Sequence, residues 1–324
     1  MSKDSLCVAV TGATGFVGRH VVPALLDAGH TLRALVRDPK KVTVKRSGVQ
    51  YVPGDLFDPA SLRELVAGAD AVVHLVGIIM EKRDAGQTFD RVHVQGTRNL
   101  LAAAKEAGSV TRWAHMSALG SRPDAEAGYH LTKWQAERAV RESGLTYTIF
   151  RPSIIHGPDG EFMQMVASWF RSAFNPPLPV PAGRFPFIQG GVPYFGRGLL
   201  GLGGAGRLQP VYVDDVADCF AKSLTSDAAA NETYPMGGPD VFTWPQLYKA
   251  VQANLPGALD KVIIPVPAWY AKMIAGFPGV PFNWDQVVMS QEDSTCDTGK
   301  VEHDFGIELA AFEPTVKSYA AQID

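Results

Sequence analysis

Cysteine is scarce in this 324-residue chain: Cys7, Cys219 and Cys296 stand alone and far apart. Such spacing excludes a disulfide framework and matches no zinc or iron–sulfur pattern, so no metal site is expected. Long hydrophobic runs are lacking too. No stretch approaches the roughly 18–20 uninterrupted apolar residues of a membrane-spanning helix. The opening MSKDSLCVAVTGATG reaches a glycine turn too soon for a secretory signal. An excess of either charge is missing as well: the net charge is -3, which gives no reason to expect nucleic acid as a partner. These absences leave a reducing, cytoplasmic setting as the expectation.

What the chain has is alternation. LCVAV, TLRALVR, VQYVPGD, AVVHLVG, RWAHMSAL and TYTIFRPS read as strands, separated by segments with apolar residues at helical spacing such as FVGRHVVPALLDAG and GTRNLLAAAKEAG. Near-continuous apolar strands with intervening helices predict an α/β fold, a doubly wound parallel sheet covered on both faces. The pattern loosens after Gly157. We therefore expect a first domain over 1–157 and a smaller C-terminal substrate or partner lobe over 158–324, with 209–226 packing back on the first. The stretch 174–208 is crowded with Gly, Pro and large apolar residues; it carries Arg184, Arg197 and Arg207 and no acid. So long a stretch without clear secondary structure reads as a lid or binding loop, with peripheral contact to a membrane or membrane complex as its further use.

The segment VAVTGATGFVG sets Gly12, Gly15 and Gly18 directly after a strand and at the opening of a helix. Gly12 permits a tight turn, Gly15 lets backbone amides approach a pyrophosphate, and Gly18 lets helix and strand pack closely. Thr14, Phe16 and Val17 complete this dinucleotide-binding turn, whose helix N-terminus favours phosphate. At the tip of the second strand stands Arg37, followed by Asp38, Lys40 and Lys41. Arginine there suits a 2′-phosphate, so NADP(H) is the preferred cofactor and NAD(H) the second choice; Asp38 either caps the next turn or accepts a ribose hydroxyl. Asp55 and Leu56 fall where an adenine would lie, Val76 and Gly77 on the ribose side, and Pro152 at the end of a later strand.

With TGATGFVG, GDLFD, VHVQGTRNLL and YHLTK in this order, the chain resembles the extended short-chain dehydrogenase/reductase superfamily of Rossmann proteins. RPSIIHGP, LQPVYVDDVADCF, YPMGGPDVFTWPQL and FGIELAAFEPTV are similar to its atypical branch, typified by the accessory dehydrogenase-like subunit of respiratory complex I. The resemblance covers nearly the whole chain. It implies catalytic roles for Tyr129, Lys133 and a serine, here Ser117. Tyr129 and Lys133 are four apart on a helix and share a face. Lys133 is expected to lower the tyrosine from about 10 by about one to three pH units, and to bond the nicotinamide ribose.

Two positions depart from the family pattern. Where active relatives carry a third serine or threonine, this chain has Leu119, and Ser117 lies roughly 6–7 Å earlier along an extended strand. Where they carry an asparagine, it has His93, either a bond donor titrating near neutrality or a buried, satisfied ring. The resemblance thus implies an NADP(H)-dependent oxidoreductase on a hydrophobic carbonyl or quinone-like substrate. A non-catalytic nucleotide-binding accessory subunit or assembly factor of a membrane electron-transfer complex is the alternative.

Overall fold

The computed structural model describes residues 5–42, 46–172, 191–277, 280 and 282–323. Six apolar runs of the first half form the parallel strands β1 (Cys7–Thr11), β2 (Thr31–Val36), β3 (Val49–Pro53), β4 (Ala71–His74), β5 (Arg112–Met116) and β6 (Thr146–Pro152). Four short strands follow: β7 (Ile155–His156), β8 (Val192–Gly196), β9 (Arg207–Leu208) and β10 (Val211–Tyr212). The next, β11 (Glu232–Met236), returns to the main sheet and pairs with β6. The sheet order is β11-β6-β5-β4-β1-β2-β3, with every neighbour parallel. Strand order reverses between β1 and β4, and ligands of such sheets sit at the carboxyl ends beside that reversal.

The chain divides into two compact units, each assembled from separated segments. The first unit comprises Met1–Pro152, Val213–Met236 and Asp297–Glu308. Besides the main sheet it holds α1 (Phe16–Asp27), α2 (Pro59–Val66), α3 (Gly96–Ala107) and α4 (Gly128–Arg141). Ala9, Val72 and Trp113 of the sheet are buried with Leu62, Leu65, Leu100 and Val140 of these helices in one core. The period-2 alternation of strands and the 3.6 period of helices meet there. The second unit comprises Ser153–Tyr212, Gly237–Cys296 and Leu309–Asp324. It contains α5 (Glu161–Arg171), α7 (Trp244–Asn254), α8 (Ala268–Ile274), α9 (Trp284–Gln291) and α11 (Phe312–Tyr319), with β12 (Phe242–Thr243) and β13 (Ile263–Pro267). The intervening α6 (Val213–Ser223) and α10 (Gly299–Phe305) belong to the first unit.

The first segment of the first unit ends at Pro152, where β6 ends, and Ile155–His156 pair with Val211–Tyr212 in the second. The returning stretch is Val213–Met236, and Asp297–Glu308 returns as well. Of the stretch 174–208, residues 174–190 lie outside the described residues. The remainder holds β8, a loop over 197–206 and β9; β8 pairs in parallel with β13, from Val192 opposite Ile263 to Gly196 opposite Pro267. That partner lies too far along the chain for local pattern to reveal it.

Close packing at the first turn is testable. A Cβ at Gly18 would overlap the Gly12 carbonyl and come within 2.7 Å of the Ala13 backbone, whereas at Gly15 it would meet only the Gly12 oxygen, at 3.3 Å. Gly18→Ala is expected to destabilise by about 1–3 kcal/mol as an overpacked contact. Gly15→Ala should cost less than half of that in thermal or urea unfolding.

Candidate nucleotide and proton-transfer site

The turn after β1 is built without side chains. Gly12 has φ +82°, and a Cβ there would lie 3.1 Å from the Leu75 carbonyl carbon and 3.2 Å from the Val76 nitrogen. The Gly15 N–H donates to the Gly12 oxygen at 3.0 Å, and Gly15 is the N-cap of α1. Thr14 and Gly15 are exposed, Phe16 and Val17 half-buried, and no acid stands in the first turn of α1. Unopposed N–H groups and the positive end of the helix make this turn suited to anions. The glycine cradle fits a dinucleotide pyrophosphate.

Arg37 is exposed at the end of β2. The Asp38 carboxylate is spent locally, where its Oδ1 accepts from the Lys40 N–H at 3.0 Å and caps the short turn Pro39–Lys41. Asp55 is occupied similarly, accepting from the Phe57 N–H at 2.8 Å. Leu56 is buried, and its carbonyl takes Asn99 Nδ2 at 3.0 Å. Pro152 closes β6, and its carbonyl accepts from the Leu119 N–H at 2.9 Å.

Tyr129 opens α4, its ring edge-on to Phe89 at 5.8 Å and to His93 at 5.5 Å. Burial pushes its phenol up to about 12, the opposite direction to the lowering expected from Lys133. Tyr129 is therefore a neutral proton donor near neutral pH. Lys133 is almost wholly buried and donates to the Met116 carbonyl at 3.0 Å. A Cβ on Gly77 would lie 2.8 Å from its Nζ and 3.6 Å from His93 Nε2, so glycine there leaves room for the ammonium. Burial lowers Lys133 to about 8, and the Glu137 carboxylate works in the opposite direction.

Ser117 is placed differently. Its hydroxyl donates to Glu137 Oε1 at 2.5 Å, and Ser121 Oγ lies 3.1 Å away. Glu137, fully buried one turn beyond Lys133, also takes Arg151 Nε at 2.7 Å, a second Arg151 nitrogen at 2.6 Å and Arg141 at 2.8 Å. Arg141 reaches Thr233 on β11 at 3.0 Å. The proton of Ser117 is thus committed to a carboxylate. The structure brings Gly77, His93 and Lys133 together, and joins Ser117 to Glu137 instead.

His93 is the buried, satisfied ring. Nδ1 lies 2.9 Å from Thr132 Oγ1, which itself donates to the Gly128 carbonyl at 2.8 Å. Nε2 lies 3.1 Å from both the nitrogen and the carbonyl oxygen of Ile78, so each ring nitrogen has a partner in either neutral tautomer. Burial first, then the nearby Lys133 charge, holds it well below the usual histidine range. His74 bridges Thr11 Oγ1 at 2.6 Å and Thr97 Oγ1 at 3.0 Å, and Thr97 donates to the His93 carbonyl at 2.6 Å. Sequence reasoning missed Glu137 and His74. The signal for Glu137 was its i+4 spacing from Lys133.

The buried ammonium has a pH signature. Since Lys133 falls from 10.5 to about 8 on folding, the unfolded chain binds more protons between those values, and stability rises with pH across that window. Below about pH 8 the cost of burying the charge is fully present. Lys133→Met should unfold at a higher temperature than wild type at pH 7, and the gap should close by pH 10.5. A gap that stays constant across this range would refute the assignment.

Residues 12–166 match a family model described as NAD(P)H-binding. A ceramide reductase from Caulobacter vibrioides is 39% identical over 174 residues, and the chain spans only about half of that relative's length, 53% of each. A (4-alkanoyl-5-oxo-2,5-dihydrofuran-3-yl)methyl phosphate reductase from Streptomyces griseus is 32% identical over 73% of this chain and 69% of its own. The mitochondrial NADH dehydrogenase [ubiquinone] 1 alpha subcomplex subunit 9 of Arabidopsis thaliana is 28% identical over 82% of this chain and 67% of its own. The crystal structure of gox2253 shares the fold, with a TM-score of 0.72, 24% identity and coverage of 99% and 98%. With its glycine turn, parallel sheet and Tyr-Lys helix, this chain belongs to the NAD(P)H-binding Rossmann family of short-chain dehydrogenase-like proteins.

Proposed function

We propose that the protein is an NADP(H)-dependent oxidoreductase that reduces a hydrophobic carbonyl or quinone-like substrate. The observation that carries this reading is the pair Tyr129 and Lys133, one turn apart on the same face of α4, with Lys133 buried against the Met116 carbonyl and Gly77. When bound, the nicotinamide cofactor supplies the hydride. Gly12, Thr14, Gly15, Phe16, Val17 and Gly18 hold the pyrophosphate, and Arg37 receives the 2′-phosphate. Asp55 and Leu56 face the adenine, and Val76, Gly77 and Pro152 line the ribose and nicotinamide side. Lys133 bonds the nicotinamide ribose, and Tyr129 gives its proton to the substrate oxygen. Ser117 then serves by fixing the end of β5 through Glu137 rather than by donating to substrate. The apolar substrate class is supported by the names of similar proteins, which include a ceramide reductase. The first unit is thus the dinucleotide-binding domain and the second the substrate or partner lobe.

The accessory-subunit reading draws on a specific observation too: Leu119 replaces the expected substrate-positioning hydroxyl, and the likeness to the Arabidopsis subunit covers most of the chain. On either reading the protein works in the cytoplasm or peripherally at a membrane face.

Calorimetric titration tests the cofactor. Arg37→Ala should weaken NADPH by about tenfold or more, the value of one charge-assisted contact, and leave NADH nearly unchanged. Equal losses for both cofactors would sink the preference. Turnover tests the chemistry. Tyr129→Phe should lower kcat by roughly 10²–10⁴ without changing nucleotide affinity. If the variant is silent in turnover and in a deletion strain, the accessory reading prevails.

A further inference from the structure

We propose that the loop following β8, residues 197–204, and helix α8 form a membrane-binding face that inserts into the interfacial layer of a bilayer containing anionic phospholipid. It concerns the second unit alone and stands apart from which reaction the protein performs.

Three leucines of the loop, Leu199, Leu200 and Leu202, are 69–78% exposed. Beside them Trp269, Met273 and Phe277 are 52–62% exposed. Trp269 and Met273 are four apart and stack on one side of α8, and Phe277 follows in the turn beyond its C-terminus. The other side of the helix is buried through Ala268, Ala271 and Ile274. Isolated exposed apolar residues need no explanation, but six large ones on two adjoining elements do.

The loop is built to present them. Gly198, Gly201 and Gly204 take φ values of +81°, +73° and +76°, conformations that favour glycine. Its backbone closes on itself, Arg197 N–H to the Gly204 carbonyl at 2.6 Å and Gly203 N–H to the Arg197 carbonyl at 2.9 Å. It is fastened to α8 by Trp269 Nε1, which donates to the Leu199 carbonyl at 3.1 Å. Pairing of β8 with β13 sets Gly196 opposite Pro267, the residues that lead into loop and helix. These internal bonds reduce the number of backbone groups that would need water, which favours entry into an interfacial layer, where unmet polar groups are costly.

Charge selects the occupant. Residues 191–207 and 261–277 contain Arg197, Arg207, Lys261 and Lys272 and not one Asp or Glu, in a chain of net charge -3. Arg207 is paired with Asp293, and Lys261 donates to backbone carbonyls of α5 and its C-cap. Arg197 donates to the Gln291 carbonyl and the Lys272 Nζ lies 4.6 Å from the Trp284 ring centre, so both cations are engaged locally while flanking the apolar cluster. Exposed leucines, an exposed Trp and neighbouring cations are the residue types that an interfacial layer takes at its acyl boundary, its interface and its headgroups. Among the described residues no helix is long and apolar enough to cross a membrane. Contact of this kind is therefore interfacial.

Co-sedimentation of the full-length protein with vesicles tests the proposal, using phosphatidylcholine alone and phosphatidylcholine with about 30% phosphatidylglycerol. Wild type should bind the anionic vesicles several-fold better than the neutral ones. The triple variant Leu199→Ser, Leu200→Ser, Leu202→Ser should lose about tenfold or more in partitioning, because the apolar area is what inserts. Lys272→Glu should remove most of the preference for the anionic vesicles. Thermal unfolding and NADPH affinity, measured on the same samples, should not change. Unchanged nucleotide binding with lost vesicle binding confirms this face whether or not the enzymatic reading survives. The proposal is overturned if wild type binds neither vesicle, or if the triple variant binds as wild type does. It is also overturned if light scattering shows the triple variant turning a dimer into a monomer, for then a second copy covers the face.

Discussion

Glu137 puts a carboxylate with no solvent exposure where α4 meets the ends of β5 and β6, and four neighbouring groups are arranged around its charge. Arg151 clamps it with two nitrogens, Arg141 adds another, Ser117 gives up its proton, and the Lys133 ammonium lies one turn away on α4. Removing either arginine from this cluster strands the buried carboxylate in low dielectric, typically at about 3–5 kcal/mol, whereas Lys133 makes its own bond to the Met116 carbonyl. The arrangement of α4 against the sheet is therefore fixed by charge geometry as much as by apolar packing. The reach of Arg141 to Thr233 extends that constraint to the edge strand β11.

The proton-transfer groups follow from this anchor. Met116 and Ser117 are neighbours at the end of β5, one receiving Lys133 through its carbonyl and the other giving its hydroxyl to Glu137. A single turn of α4 thus pins both, and Tyr129, one turn earlier, is aimed by the same helix. Burial then tunes the three groups in the directions their roles require. The phenol stays protonated, the ammonium loses part of its grip on its proton, and His93 stays neutral within its hydrogen bonds. For Lys133 and His93 neighbouring charge modifies a shift that burial leads, and for Tyr129 burial alone is the cause, which a pairwise reading of Tyr129 with Lys133 leaves out.

The glycine turn, the parallel sheet and the Tyr-Lys face were legible because each rests on local spacing: three glycines between a strand and a helix, apolar alternation, two residues four apart. The partners of those residues were not legible. Ser117 looks like a substrate group until Glu137, twenty residues on, is seen to take its proton. Asp38 could be read as a ribose ligand or a cap, and the bond from the Lys40 N–H to its Oδ1 is a contact that spacing alone did not reveal. The pairing of Val192–Gly196 with Ile263–Pro267 escaped for the same reason, since a two-stranded contact between Pro- and Gly-rich segments carries no periodic signature. What the chain hides is which polar atom a buried group spends its bond on.

The segmented make-up of the first unit bears on how the protein can be born and divided. When residue 152 has left the ribosome, β6 is the edge of a six-stranded sheet whose seventh strand, β11, is not yet made. Its ladder groups on that side, and Arg141 with its Thr233 contact missing, stay open until residues 232–236 emerge. The whole of Ser153–Tyr212 must be synthesised in between. An unpaired apolar strand edge is a template for pairing with other chains, so this interval is when the nascent protein is most exposed to aggregation. By the same logic a fragment cut at residue 152 is not a minimal nucleotide-binding domain but an unfinished one, with an open edge where the native chain later closes itself.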